Sequence, residues 1–137
     1  MNIILNGICG HMGMAVRELC ERGYRGVSIG AGVDPNAKAC DELTFRTLDD
    51  VNLDTRADCI VDFSHHTCIG GVLEYAKLNR IAAVIATTGH TDEELDMIYE
   101  ASKSIPVFFS ANMSLGVALL VELAKTAALA MPVRSLP

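Results

Sequence analysis

From end to end the sequence alternates short apolar runs with stretches of helical periodicity. Each apolar run breaks off at small or polar residues. The runs are "NIILN" (2–6), "GVSIGAGVD" (26–34), "DCIVDFS" (58–64), "AAVIATTG" (82–89) and "VFF" (107–109). All are of strand length. Between and after them, Met12, Val16, Leu19 and Cys20 form one helical stripe, and Ile69, Val72, Leu73 and Ala76 form another. Leu95, Ile98 and Tyr99 form a third, and Val117, Leu120, Val121 and Ala124 a fourth. Strands joined by helices return to one sheet by right-handed crossovers. The pattern therefore predicts an α/β fold, a doubly wound parallel sheet with helices on both faces.

Punctuation supports these assignments. Gly23 and Gly26 close the first helix, and Pro35 follows the second strand at Asp34. Residues 35–57 are polar and weakly patterned, and read as a loop with at most a short helical turn near Leu48–Val51. Thr91-Asp92-Glu93-Glu94 is a capping box: a hydroxyl N-cap, with a glutamate three residues on to reach back to the cap's N–H. The last helix is expected from Ser114 to about Met131, ended by Pro132. Residues 1–131 thus read as one domain and 132–137 as a tail.

Half the residues are apolar and a fifth are charged, which suits a sheet covered on both faces. The net charge of −6, with lysines and arginines scattered singly, disfavours nucleic acid as a partner. No apolar run approaches the ~20 residues that span a bilayer. No basic stretch precedes the apolar residues of "MNIILNG", so no secretory signal is expected and the chain is placed in the cytoplasm, away from membranes. Five cysteines without a CxxC pair read as small buried hydrophobes, and no metal site is expected.

Between the first strand and first helix, "LNGICGHMG" sets glycines at Gly7, Gly10 and Gly13. In such sheets ligands bind outside the carboxyl ends of the strands, where strand order reverses. Gly7 would allow a tight turn, Gly10 would let main-chain N–H groups approach a pyrophosphate, and Gly13 would let the helix pack against the sheet. The helix N-terminus would add partial positive charge and N–H donors. Asp34, about 20 residues past Gly13, is placed to accept hydrogen bonds from a ribose. The spacing is G-x-x-G-x-x-G rather than the commoner G-x-G-x-x-G. Strand, helix and following acid supply the context for a Rossmann-like dinucleotide site. The later strand ends carry "FS" (63–64), "ATTG" (86–89) and "SANMS" (110–114), which would line the same crevice with hydroxyls and a carboxamide.

Together "NGICGHMG", "VDFSH", "ATTG" and "FFSANMSLGV" make residues 2–131 resemble the 4-hydroxy-tetrahydrodipicolinate reductases, enzymes of lysine and diaminopimelate biosynthesis that take hydride from NADH or NADPH. The resemblance implies that Gly7, Ile8, Cys9, Gly10, His11 and Met12 wrap the pyrophosphate and that Asp34 takes the adenosine ribose. It implies that Ala86, Thr87 and Thr88 pass beside the nicotinamide, that Ser110, Ala111, Asn112 and Met113 complete that pocket, and that Thr88 touches substrate. Ala86 stands where many members have glycine. His11 stands where many have arginine, and a neutral imidazole holds phosphate less firmly than a guanidinium.

The resemblance also implies a second domain carrying a His-His…Lys motif and a Ser-Gly-Thr that hold substrate. Neither motif occurs in that setting here, so the catalytic domain is expected to be absent and no catalytic residue is assigned. His65-His66 follows the third strand inside the nucleotide fold and reads as two surface histidines. The chain alone is expected to bind NADH or NADPH without turnover and to meet a small-molecule substrate only with the missing domain. Its strand at 107–109 is expected to lack a neighbour and to drive homo-oligomer formation. The alternatives are a stand-alone dinucleotide-binding or redox-sensing module, or a nonbinding remnant.

Overall fold

The computed structural model describes residues 1–37, 43–51, 55–110 and 115–130. Six parallel strands form one sheet: β1 (Asn2–Asn6), β2 (Ser28–Val33), β3 (Thr44–Phe45), β4 (Cys59–Asp62), β5 (Ala82–Ile85) and β6 (Val107–Phe109), in the order β3-β2-β1-β4-β5-β6. The helices are α1 (His11–Glu21), α2 (Ile69–Asn79), α3 (Asp92–Ser102) and α4 (Leu115–Ala130). From the centre, β1 leads outward to β2 in one direction and β4 leads to β5 in the other. Right-handed crossovers running opposite ways put α1 on one face and α2 and α3 on the other, which is the doubly wound arrangement. The strand order reverses between β1 and β4.

The central strands are covered on both sides, as an all-parallel sheet requires. Ile4, Leu5, Ile60 and Ile85 are almost wholly buried. Ile69, Val72, Leu73 and Ala76, the stripe read from the sequence, press α2 into the same core. Burying each Leu or Ile side chain stabilises the fold by about 1.5–3 kcal/mol relative to exposure.

Several expectations are revised. Residues 44–45 are a strand rather than loop, because Asp34 donates its N–H to Phe45 O at 3.0 Å and Gly32 donates its N–H to Leu43 O at 2.8 Å. Two residues are too short for any periodicity to show. The helical turn beside it, Leu48–Asp50, is a 3-10 turn closed by a Thr47–Asp50 capping box. On α3 the capping box is as expected, with Thr91 Oγ1 accepting the Glu94 N–H. Yet Leu95 and Tyr99 face outward, and Ile98 and Ala101 carry the buried side. On α1 and α4 the apolar stripes stay largely uncovered: Met12, Leu19, Val117, Leu120 and Val121 are all exposed.

Candidate functional site

The strand ends at the point of reversal carry the groups that read as a site. After β1 the chain turns sharply at Gly7, whose φ is +80°, and its N–H donates to Val33 O at the end of β2 (2.8 Å). A Cβ at Gly7 would lie 2.6 Å from the Phe63 carbonyl oxygen, so a side chain is excluded by both conformation and space. At Gly13 a Cβ would lie 2.1 Å from Gly7 O. The missing Cβ at Gly13 thus lets α1 pack closely against the glycine loop at the end of β1. Ile8 is buried, with its side chain over Gly32, so it offers a ligand its main chain alone.

The N-cap of α1 is Gly10, with no side-chain cap and no acid in the first turn. The first intrahelical bond runs from Met14 N–H to Gly10 O at 2.8 Å. The N–H groups of His11, Met12 and Gly13 therefore have no acceptor within the helix and lie at its positive end. Cys9, Gly10, His11 and Met12 are exposed there. Glycines at which no Cβ fits and a helix end with no acid in its first turn together suit a pyrophosphate.

Asp34 is 7% exposed, and both its oxygens are engaged. Oδ2 accepts the Cys9 N–H at 3.1 Å, and Oδ1 accepts the Asn36 N–H at 2.9 Å. Each oxygen keeps a second lone pair for a ribose hydroxyl. A cleft of about 540 Å³ opens beside it, lined by Asn6, Pro35, Arg46, Ser64, Thr67 and Gly71 among others. Arg46 was missed in the sequence because β3 was read as loop. Pairing of Asp34 with Phe45 brings this cation to the same strand ends. Lys38, the nearest cation in sequence, lies outside the described residues. A second cleft, about 510 Å³, runs along α1 and β2 rather than over the strand ends.

Across the reversal point sits a polar network that sequence reasoning also missed. Asp62 ends β4 with 0% of its surface exposed. It accepts bonds from Asn6 Nδ2 (2.8 Å), Ser64 Oγ (2.6 Å) and Thr87 Oγ1 (2.8 Å). The signal was present, since "IILN" and "CIVD" each close an apolar run on a polar residue. Thr87 thus turns its hydroxyl into the protein, whereas Thr88 is exposed. Ala86 and Ser110 are half-buried at neighbouring strand ends, their N–H groups donating to Asp62 O (3.0 Å) and Ile85 O (3.1 Å). Ala111, Asn112 and Met113 lie outside the described residues.

The histidines are not both surface groups. His65 is exposed and pairs with Thr67 Oγ1 at 3.0 Å, but His66 Nδ1 sits 2.9 Å from Glu94 Oε2. His90 is buried against Phe109, its Nδ1 3.5 Å from the same carboxylate. The Thr91 N–H chiefly, then His66 and His90, hold the Glu94 carboxyl below the ordinary range against the opposing effect of desolvation. The cysteines likewise divide. Cys59 is buried, and burial, aided by Asp58, raises its thiol pKa. Cys9 and Cys68 are exposed, so the reading as buried hydrophobes fails for them. Cys40 lies outside the described residues.

Residues 1–113 match the family described as "Dihydrodipicolinate reductase, N-terminus". Among proteins similar in sequence, a 4-hydroxy-tetrahydrodipicolinate reductase of Caldanaerobacter subterraneus subsp. tengcongensis is 41% identical over 128 residues, 93% of this chain and 50% of that protein. One of Clostridium botulinum is 39% identical over 123 residues, 90% of this chain and 48% of that protein. The chain spans about half the length of these relatives. A solved structure of dipicolinate-bound dihydrodipicolinate reductase from Paenisporosarcina sp. TG-14 superposes with a TM-score of 0.76 at 20% identity, over 93% of this chain and 53% of that one. That likeness speaks to the fold.

Proposed function

Because the chain belongs to the dihydrodipicolinate reductase family, an oxidoreductase family, and corresponds to its N-terminus, we propose that it holds NADH or NADPH for reduction of 4-hydroxy-tetrahydrodipicolinate in lysine and diaminopimelate biosynthesis. The observation that carries this reading is the cradle at the reversal point: Gly7 and Gly13, where no Cβ fits, feeding the uncapped N-terminus of α1.

The N–H groups of His11, Met12 and Gly13 at the start of α1 hold the pyrophosphate. Gly7, Ile8, Cys9 and Gly10, whose N–H groups are bonded to Val33, Asp34 and Gly7, form the turn that lets it approach. Asp34 accepts a ribose hydroxyl, and the cleft bounded by Pro35, Arg46 and Ser64 takes the adenosine. The second mononucleotide then falls on the other side of the reversal, over Ala86 and Thr88. Thr87, its hydroxyl turned inward to Asp62, supports them from beneath. By the family resemblance Ser110, Ala111, Asn112 and Met113 complete that pocket. Thr88, exposed and polar, is the side chain placed to meet substrate. When bound, the cofactor supplies the hydride, and this chain supplies position and exclusion of water. Reduction of substrate requires groups from outside this chain, a reading supported by its spanning half the length of its relatives. A cytoplasmic location fits such a role.

Asp34 beside the ribose disfavours a 2′-phosphate, while Arg46 on the same cleft favours one. The chain therefore accepts both cofactors or prefers NADH modestly. Calorimetric titration with NADH and NADPH, followed by an assay of NADH oxidation with freshly generated substrate, tests the whole reading. Binding without turnover is expected. Failure to bind either dinucleotide would remove the reading, and turnover at the rate of an intact reductase would show that catalytic groups lie within this chain.

A further inference from the structure

We propose that Asp62 is a positioning residue of this site: from the floor of the crevice it sets the loops on both sides of the strand reversal. The inference rests on the dinucleotide reading above. Asp62 stands opposite Asn6 of β1 in the sheet register and opposite Ile85 of β5. It is therefore the residue that spans the switch point.

Its bonds reach three strand ends. Oδ1 accepts the Asn6 amide at 2.8 Å, the Ser64 hydroxyl at 2.6 Å and the Ser64 N–H at 3.2 Å. Oδ2 accepts the Thr87 hydroxyl at 2.8 Å. Its main-chain oxygen accepts the Ala86 N–H at 3.0 Å. Asn6 immediately precedes the Gly7 turn, and Thr87 immediately precedes exposed Thr88 and the Gly89 turn, where φ is +86°. One carboxylate thus fixes where the pyrophosphate loop leaves β1 and where the Thr88 loop leaves β5.

Stability alone does not account for this group. A fully buried carboxylate is costly even when satisfied, and apolar replacement of buried charge is often neutral or stabilising. What the carboxyl group adds is direction: the Asn6 amide and the Ser64 N–H can only donate to it, and with the Ser64 and Thr87 hydroxyls they converge on it from fixed positions. The glycine loop has further ties, to Val33 O and Asp34. The Thr87 side chain bonds to Asp62 through its main-chain and side-chain oxygens. The β5 loop, and with it the nicotinamide half of the cofactor, should therefore depend on Asp62 most.

The test compares NADH with ADP-ribose, which lacks the nicotinamide, by calorimetry on the 137-residue chain. Asp62→Asn keeps the size but replaces one acceptor by a donor. Thr87→Val removes only the hydroxyl, and Thr87→Ser keeps it. Asp62→Asn and Thr87→Val should each weaken NADH roughly tenfold, the worth of about one charge-assisted hydrogen bond. Thr87→Val should leave ADP-ribose unchanged, and Thr87→Ser should bind NADH as the unmodified chain does. If Asp62→Asn fails to fold, the Thr87 pair decides the matter alone. Unchanged NADH affinity in the folded variants would overturn the inference. So would equal loss of both ligands, which is what general loosening produces. Failure of the unmodified chain to bind either ligand would instead sink the dinucleotide reading, and this inference with it.

Discussion

The Asp34 carboxylate at the end of β2 accepts the main-chain N–H of Cys9 in the glycine loop, at 3.1 Å. The acid that a Rossmann-like sequence presents as a ribose acceptor is therefore also a brace for the loop beside it. Asp34→Ala removes both functions and leaves the Cys9 and Asn36 N–H groups without their acceptor. Losing bonds to a largely buried charge should cost about 1–3 kcal/mol of stability. Thermal denaturation should show a lower midpoint, and dinucleotide affinity should fall by more than the ribose contact alone explains. A variant that melts like the unmodified chain would show that the brace is idle.

Arg46 bears on cofactor choice. It reaches the Asp34 strand end only because β3 pairs with β2. Arg46→Ala should weaken NADPH several-fold more than NADH, because a 2′-phosphate loses a counter-charge that a bare ribose never used. In the unmodified chain NADPH should bind no more than about tenfold tighter than NADH, since Asp34 opposes the phosphate. Parallel calorimetric titrations measure both ratios.

What the sequence disclosed and what it concealed follow from how each feature is encoded. Local spacing announces the glycine loop, the Thr91 capping box and the Ile69–Ala76 stripe, and these stand where the spacing puts them. β3 is hidden because two residues carry no period. Arg46 is hidden with it, as its place depends on a strand pairing. Asn6, Ser64 and Thr87 are far apart in sequence and meet only at Asp62, so nothing local marks them as partners. The helix faces mislead for a related reason. Leu95, Ile98 and Tyr99 share a helical spacing, but of the three Ile98 alone is buried, together with Ala101, which the spacing did not mark.

Two glycines separate space from conformation. Gly13→Ala would drive a Cβ to within 2.1 Å of Gly7 O, so the loop or helix must shift. Overpacking of this kind costs about 1–3 kcal/mol, and the displaced loop should lose most of its dinucleotide affinity. Gly23→Ala meets nothing within 4 Å and pays only for its φ of +70°. It should lose about 1 kcal/mol of stability or somewhat more while binding normally. Paired denaturation and titration would expose the difference, and a Gly13→Ala chain that bound normally would refute the cradle.

Acid should loosen the junction between the β4 and β5 loops. The Thr91 N–H, with His66 and His90, holds the folded Glu94 carboxyl below its ordinary value. A depressed carboxylate contributes stability that is complete above its unfolded pKa, about 4.3, and drains away as pH falls through the lower folded value. Glu94→Gln should therefore flatten the acid limb of the stability profile and leave its neutral region less altered. Denaturant midpoints between neutral pH and pH 3 would measure it. An acid limb of unchanged steepness would assign the pH dependence to other carboxylates.

Self-association is the remaining expectation. β6 closes one end of the sheet order, so one row of its main-chain donors and acceptors has no strand beside it among the described residues. Two of its three apolar residues are also exposed, Phe108 at 59% and Phe109 at 38%. Edges in native proteins are usually blunted by charge, proline or a covering element, and an apolar edge without them recruits another chain. Pro106, just before β6, turns its carbonyl to the Ala83 N–H of β5 and so does not blunt the outer edge. On α4, Leu119, Leu120 and Leu123 add further exposed apolar surface. The chain should therefore sediment as a dimer or larger species at high concentration. Phe108→Lys, placing a charge on the edge, should shift it toward monomer without lowering dinucleotide affinity, because Phe108 lies below the strand-end loops. A clean monomer for the unmodified chain across a wide concentration range would rule the expectation out. Association unchanged by Phe108→Lys would move the contact from β6 to the apolar surface of α4.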